Sequence, residues 1–73
     1  MKNSEIAQVL YNISLYLEME DEPFKPRAYE KAARSVEALT EDVSEIYKRD
    51  GIKGLMEIPS VGQGIAEKIE DMI

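Results

Sequence analysis

Apolar residues recur at intervals of three and four along most of the chain, which is the spacing of an α-helix and not of a strand. The first such run follows Asn3 and comprises Ile6, Val9, Leu10, Ile13 and Leu17. It predicts a helix over about residues 4–18, with Asn3 or Ser4 as the cap of its first free amides. The pattern returns in later segments, so we expect an all-α domain, a compact bundle of four to five short helices.

Prolines mark the end of the first helix and the start of the second. Pro23 and Pro26 follow an acidic stretch, and proline lacks the amide that a continuing helix needs. Pro26 suits the first position of a new helix, which we predict over about residues 26–39. Its apolar face is rich in small residues that allow close helix packing: Ala28, Tyr29, Ala32, Ala33, Val36 and Leu39.

The rest of the chain divides at glycines. Thr40 is the predicted cap of a third helix, which Asp50 and Gly51 end. A short helical turn over about residues 52–57, a connector over 58–62 and a last helix from Gln63 follow. Apolar periodicity continues to Ile73 with no capping signal, so we expect a domain cut from a longer chain.

Composition excludes many kinds of chemistry. Seventy-three residues allow one domain, and the absence of cysteine and histidine excludes disulfides, thiolate or imidazole metal sites, and histidine acid–base catalysis. No apolar run approaches the roughly 20 residues that span a bilayer, and the start MKNSE lacks a secretory signal. We expect a cytoplasmic protein that has no membrane partner and is monomeric when isolated.

The net charge of −6 opposes any general attraction to nucleic acid, so DNA binding must be local. Cations do cluster in one segment, where Arg27, Lys31 and Arg34 fall at i, i+4 and i+7 on one helix face. This basic stripe fits contact with a DNA backbone. It equally fits a solvated helix face whose local partners are Glu30 and Glu37.

The sequence LMEIPSVGQGIAEKI, residues 55–69, resembles a helix-hairpin-helix motif. We place the motif at about residues 52–73. A sharp turn that leads into a helix N-terminus presents amides to a phosphate oxygen, and glycine lets the phosphate approach. The predicted DNA-binding residues of the hairpin are Ser60, Val61, Gly62, Gln63 and Gly64. Outside the hairpin, Lys25 and the basic stripe are predicted to bind DNA as well. Such binding is salt-sensitive and reads no base sequence. The alternative is a helix–helix turn without a ligand, and Ser60 stands where glycine is usual.

The segment EPFKPRAYEKAARSVEAL, residues 22–39, extends the likeness. With the helices around it, the chain resembles the amino-terminal 8-kDa domain of family X DNA polymerases, prokaryotic ones above all, over essentially all 73 residues. The resemblance implies a repair domain that holds the 5′-phosphate side of gapped or nicked DNA, with the parent's catalytic domain as its other partner. Polymerase chemistry needs metal-binding carboxylates that this chain does not supply.

The resemblance also implies a second activity, removal of a 5′-deoxyribose phosphate through a lysine Schiff base, with Lys68 as nucleophile and Tyr29 and Lys25 in the same pocket. Such a lysine must be held neutral by burial or nearby cations, whereas acidic neighbours favour its charged form. Phe24 stands where a histidine can occur, and Gly64 where a lysine can. The alternatives are an exposed Lys68 paired with an acidic residue, Asp71, and a core position for Tyr29.

Two further expectations complete the interpretation. The resemblance implies a sodium or potassium ion bound by the backbone carbonyls of Met56, Ile58 and Val61, and no other cofactor. A third hypothesis, independent of DNA, is an acidic helical interaction domain. It predicts an exposed apolar patch over residues 69–73.

Overall fold

The computed structural model describes all 73 residues and contains four helices: α1 (Asn3–Met19), α2 (Lys25–Ala38), α3 (Val43–Met56) and α4 (Gln63–Met72). There are no strands, and 75% of the residues are helical. The predicted all-α bundle that ends in a hairpin and helix is confirmed. The first, second and last helices begin within one residue of the predicted positions.

The predicted helix caps are wrong at two places. At the start of α1 neither Asn3 nor Ser4 is the cap, because α1 already begins at Asn3. At the start of α3 the capping oxygen belongs to Asp42 instead of Thr40, and its Oδ1 accepts the amide of Ser44 at 3.0 Å. A cap must directly precede the first helical residue, and Thr40 lies two positions too early.

A sharp kink divides α3 at Gly51, where φ is 68° and ψ is −156°. L-residues rarely adopt this conformation, whereas glycine does so at little steric cost. The predicted end of a third helix at Asp50 and Gly51, followed by a further helical turn from residue 52, is confirmed. The kink turns the chain toward the hairpin.

The core contains fourteen buried hydrophobic residues contributed by all four helices and the hairpin. The largest fully buried side chains are Ile6, Leu10, Val36, Val43, Leu55 and Ile69. Complete burial of one such side chain contributes roughly 1.5–3 kcal/mol. α1 packs along α2, and α3 packs on α4, so the first pair forms one wall of the molecule and the second pair carries the hairpin.

The predicted apolar patch over residues 69–73 is wrong. Ile69 is fully buried and Met72 is half-buried against the core, so Ile73 is the one apolar residue there that is exposed, and it is exposed by only 36%. The most exposed large apolar side chains lie instead at the other end of the sequence, at Met19 and Phe24, both 82% exposed.

Candidate nucleic-acid interface

The hairpin between α3 and α4 is a tight turn held by its own apolar residues. Ile58 and Val61 are buried in the core, and the Val61 amide donates to the Ile58 carbonyl at 3.0 Å. Between them Ser60 adopts a left-handed conformation with φ 68°. The turn therefore keeps a sharp, glycine-like geometry although a serine occupies the position.

The N-terminus of α4 leaves amides without partners. Gly62 precedes the helix and no side chain caps it. The amides of Gln63, Gly64 and Ile65 belong to the first turn, so they have no intrahelical acceptor. The sequence predicted that the Val61 amide binds DNA. In the structure this amide already donates to the Ile58 carbonyl, so it is not a free donor. The available donors thus begin at Gly62.

Gly62, Gly64 and Ile65, which carry three of these amides, line a groove of about 630 Å³. Residues from α1, α2, the hairpin and α4 line it: Ile13, Tyr16, Leu17, Lys25, Ala28, Tyr29, Ser60, Gly62, Gly64, Ile65 and Lys68. The fold therefore brings the predicted lyase residues Lys25, Tyr29 and Lys68 to the same surface as the predicted phosphate-binding hairpin.

Both lysines of the groove are available to an anion. Lys25 and Lys68 are exposed, and neither takes part in an ion pair of the protein. The predicted pairing of Lys68 with Asp71 is absent from these ion pairs. Two unpaired cations beside free amides make the groove a local positive site on an acidic protein.

Tyr29 combines the two roles that the sequence left open. It is half-buried and packs against the core, and it also lines the groove. Phe24, at the position before α2, is 82% exposed and does not line the groove.

The basic stripe lies elsewhere on α2. Arg27, Lys31 and Arg34 are exposed, but none of them lines the groove, because Arg27 is about 200° around the helix from Lys25. Arg27 borders a separate hollow that contains three glutamates, Glu18, Glu22 and Glu30. Arg34 lies 3.7 Å from the Glu30 carboxylate. The structure thus separates the stripe from the hairpin and surrounds much of it with negative charge.

Two glycines of the groove have no packing reason to be glycine. A Cβ built on Gly62 or on Gly64 meets nothing within 4 Å, and neither residue has a positive φ. Glycine in a helix costs roughly 0.5–1 kcal/mol relative to alanine. At Gly64 that cost is offset by no contact within the protein, and the space in front of the residue is open.

A hydrogen bond fixes the orientation of α4. The Tyr47 hydroxyl on α3 donates to the Glu70 carboxylate on α4 at 2.6 Å. This bond raises the pKa of Tyr47, and partial burial acts in the same direction. Because α4 carries Lys68 and the free amides, the bond holds the α4 side of the groove in position relative to α3.

Sequence reasoning missed the wall that α1 contributes. Ile13 and Leu17 entered the sequence analysis only as part of the apolar spacing of the first helix, and both are half-buried. Tyr16 was not singled out, although it is 61% exposed and lines the groove. The sequence signal that could have identified Tyr16 is its place as an aromatic residue beside the apolar stripe of an amphipathic helix.

The sequence matches the helix-hairpin-helix domain family over residues 1–73, so the chain belongs to that family. Helix-hairpin-helix domains generally bind DNA without sequence specificity. No curated protein and no solved structure matches the chain significantly. None of the helices has the length and apolar character that a membrane crossing requires.

Proposed function

We propose that this domain binds the backbone and the 5′-phosphate side of gapped or nicked DNA, as the DNA-binding domain of a family X repair polymerase. The observation that carries the proposal is the shared groove of Lys25, Lys68 and the free amides at the start of α4. The amides and the helix dipole hold one phosphate, and the two ammonium groups neutralise its charge. The parent's catalytic domain is the proposed second partner.

The charge distribution restricts this binding to one face. With a net charge of −6 the domain repels DNA at long range, so the phosphate must reach the groove before attraction exceeds repulsion. A free 5′-phosphate carries more charge than a phosphodiester and is sterically accessible at a strand end. Both properties favour the end of a strand over continuous duplex.

The test is a titration with DNA that carries a gap of about one to five nucleotides, with and without a 5′-phosphate, followed by amide chemical shifts at low salt. We expect shifts at Gly62, Gln63 and Gly64 that are larger with the phosphate and fade as salt rises. No movement of these amides at high DNA concentration would overturn the proposal. That outcome would favour an acidic interaction domain that does not contact DNA.

A 5′-deoxyribose phosphate lyase is the second candidate, because Lys68 and Tyr29 line the groove that receives the phosphate. The neutral Nζ of Lys68 attacks the C1′ aldehyde and expels water to form an imine. Loss of a C2′ proton then breaks the C3′–O3′ bond and releases the DNA strand, after which hydrolysis frees the lysine. Lys68 is exposed and flanked by the acidic residues Glu67 and Asp71, whereas a Schiff-base lysine is usually buried or placed beside other cations, so DNA binding is the stronger proposal.

Borohydride trapping distinguishes the lyase from a binding module. A lyase gives a covalent adduct on an abasic 5′ end with the wild type and with Lys48→Ala, whose lysine lies outside the groove. Lys68→Ala abolishes the adduct while it still binds the DNA. Absence of an adduct with the wild type on a verified abasic substrate would eliminate the lyase and leave DNA binding unaffected.

A monovalent cation at the hairpin is a third element of the proposal. Of the three implied carbonyls, that of Ile58 accepts the Val61 amide, and those of Met56 and Val61 accept none of the turn's hydrogen bonds. A carbonyl has two lone pairs, so all three have capacity for an ion. Sodium or potassium bound there would add positive charge beside the phosphate. Carbonyl chemical shifts at these residues, measured against a bulky organic cation at equal ionic strength, test it.

A further inference from the structure

The groove is larger than a phosphate site requires. At about 630 Å³ it falls within the range of roughly 300–1,000 Å³ that accommodates small organic ligands. The free amides and both lysines account for a phosphate alone. The remaining volume leaves room for a ligand group that is attached to the phosphate.

The rest of the surface is apolar. Six of the eleven lining residues are hydrophobic, and they form a wall from α1, α2 and α4: Ile13, Tyr16, Leu17, Ala28, Tyr29 and Ile65. Such a wall offers nothing to a phosphate, but it complements the flat, uncharged part of a nucleotide. The groove therefore joins a cationic, amide-rich region to an apolar one, which matches the two halves of a nucleoside phosphate.

Tyr16 differs from the other members of this wall. Its side chain is 61% exposed, so its ring is not committed to the core, whereas Tyr29 is half-buried against the core. Base stacking on an exposed aromatic ring beside a cationic groove is the common mode of binding unpaired nucleotides. The ring is positioned to receive a base.

We propose, on the basis of the proposed function, that the groove binds the terminal nucleotide of a DNA strand with its base unstacked from the duplex and placed on the Tyr16 ring. The residues that follow Tyr16 indicate that the bound nucleotide is the last one of its strand. Two exposed acidic residues, Glu20 and Asp21, follow directly after α1. A strand that continued past Tyr16 would bring further phosphates toward these carboxylates.

The test uses gapped DNA whose downstream strand begins with a 5′-phosphorylated nucleotide opposite a mismatch, so that its base is free. The comparison DNA carries the same 5′-phosphate on a tetrahydrofuran abasic sugar. Affinities are measured by fluorescence anisotropy for wild type, Tyr16→Phe and Tyr16→Leu. Tyr11→Leu is the matched control, because Tyr11 is an exposed tyrosine of α1 that does not line the groove.

We expect the wild type, Tyr16→Phe and Tyr11→Leu to bind the base-bearing end about 5- to 100-fold more tightly than the abasic end. Tyr16→Leu loses this preference and keeps its dependence on the 5′-phosphate. Equal affinity of the wild type for both ends, with phosphate dependence intact, overturns the stacking and leaves the proposed function standing. Loss of phosphate dependence in the wild type overturns the proposed function, and the stacking with it.

Discussion

The side-chain oxygen of Asn3 accepts the backbone amide of Val43 at 2.9 Å, across forty positions of sequence. The same side chain donates from Nδ2 to the Glu41 carbonyl at 2.8 Å. One asparagine thus joins the first residue of α1 to the first residue of α3 and satisfies a free donor of the latter helix. Polar contacts that are partly shielded from solvent therefore hold the two pairs of helices together where α1 and α3 begin.

The Asn3→Ala variant tests this link. It leaves the Val43 amide and the Glu41 carbonyl without partners, so we expect the free energy of unfolding to fall by about 1–3 kcal/mol in urea denaturation. DNA affinity of the folded fraction stays constant, because Asn3 does not line the groove. A variant as stable as the wild type would show that water replaces the asparagine without cost.

Gly64→Ala separates stability from binding. The new methyl group meets no protein atom within 4 Å, so we expect a gain of about 0.5–1 kcal/mol in unfolding free energy from the higher helix propensity of alanine. Binding of 5′-phosphorylated gapped DNA weakens several-fold, since the methyl group occupies space in front of the amides. The two effects are measured by urea denaturation and by anisotropy.

Gly54→Ala is the matched control for that variant. A Cβ at Gly54 lies 2.6 Å from the Asp50 Cβ and 3.0 Å from Ile46, so it destabilises the fold without reaching the groove. If Gly64→Ala leaves DNA affinity unchanged, the phosphate does not approach the start of α4.

We predict that Ser60 lowers the stability of the fold through its strained backbone and provides a hydroxyl group at the groove. With φ at 68° a non-glycine residue is strained, and Ser60→Gly should raise the unfolding free energy by roughly 1 kcal/mol. Ser60→Ala keeps the strain. If the hydroxyl donates to a phosphate, both variants lose the same fraction of DNA affinity although their stabilities differ. If both variants bind DNA with unchanged affinity, the Ser60 hydroxyl does not contact the phosphate, and the amides alone bind it.

The salt dependence of binding distinguishes the groove from the basic stripe. Lys25→Gln and Lys68→Gln should each reduce the slope of log affinity against log salt by about 1, as expected when one phosphate contact is lost. Lys31→Gln, on the stripe, leaves the slope unchanged. A reduced slope for Lys31→Gln, with unchanged slopes for Lys25→Gln and Lys68→Gln, would indicate that DNA binds the face of α2 that carries the basic stripe.

The cap of α3 makes stability depend on pH. Hydrogen bonds from the Ser44 hydroxyl and amide lower the pKa of Asp42 below its usual value of about 3.8. The pKa is lower in the folded state than in the unfolded state, so the cap's contribution is complete above about pH 4 and is lost as pH falls through the folded pKa.

Asp42→Asn isolates this effect, because asparagine also caps helices but does not titrate. In urea denaturation between about pH 7 and pH 2.5, the stability difference between wild type and variant should be constant at high pH and shift against the wild type in acid. A difference that stays constant throughout would show that Asp42 does not carry the acid sensitivity.

Much of the fold could be predicted from local signals in the sequence. Apolar periodicity located the helices, and Gly51 located the kink because no other residue type adopts its conformation as easily. The cap at Asn3 was wrong because sequence shows which residues can cap, but not which competing hydrogen bond a side chain makes. The cap at Thr40 was wrong because α3 begins two residues later than predicted, with Asp42 as its cap. The side chain of Asn3 is committed to α3, a contact that exists only after folding.

The site was predictable in part. The hairpin signature indicated the amides, and Lys25, Tyr29 and Lys68 came from a resemblance to a family. Their common groove follows from the packing of three helices, which no local pattern encodes. Tyr16 was missed for the same reason: whether an aromatic residue beside a core stripe meets solvent or another helix is decided by the neighbours of α1.

The donors that open onto the groove at the start of α4 are main-chain groups, and they are present whatever side chains the chain carries there. Ordinary substitution at Gly64 changes what surrounds its N–H without deleting it, and only proline or an ester bond removes the donor itself. A mutational scan would detect the lysines and tyrosines of this groove directly, and would detect the amides only where a new side chain, as in Gly64→Ala, occupies the space in front of them. Such domains can therefore differ widely in residue identity and still keep these donors, provided that the shape of the turn is preserved.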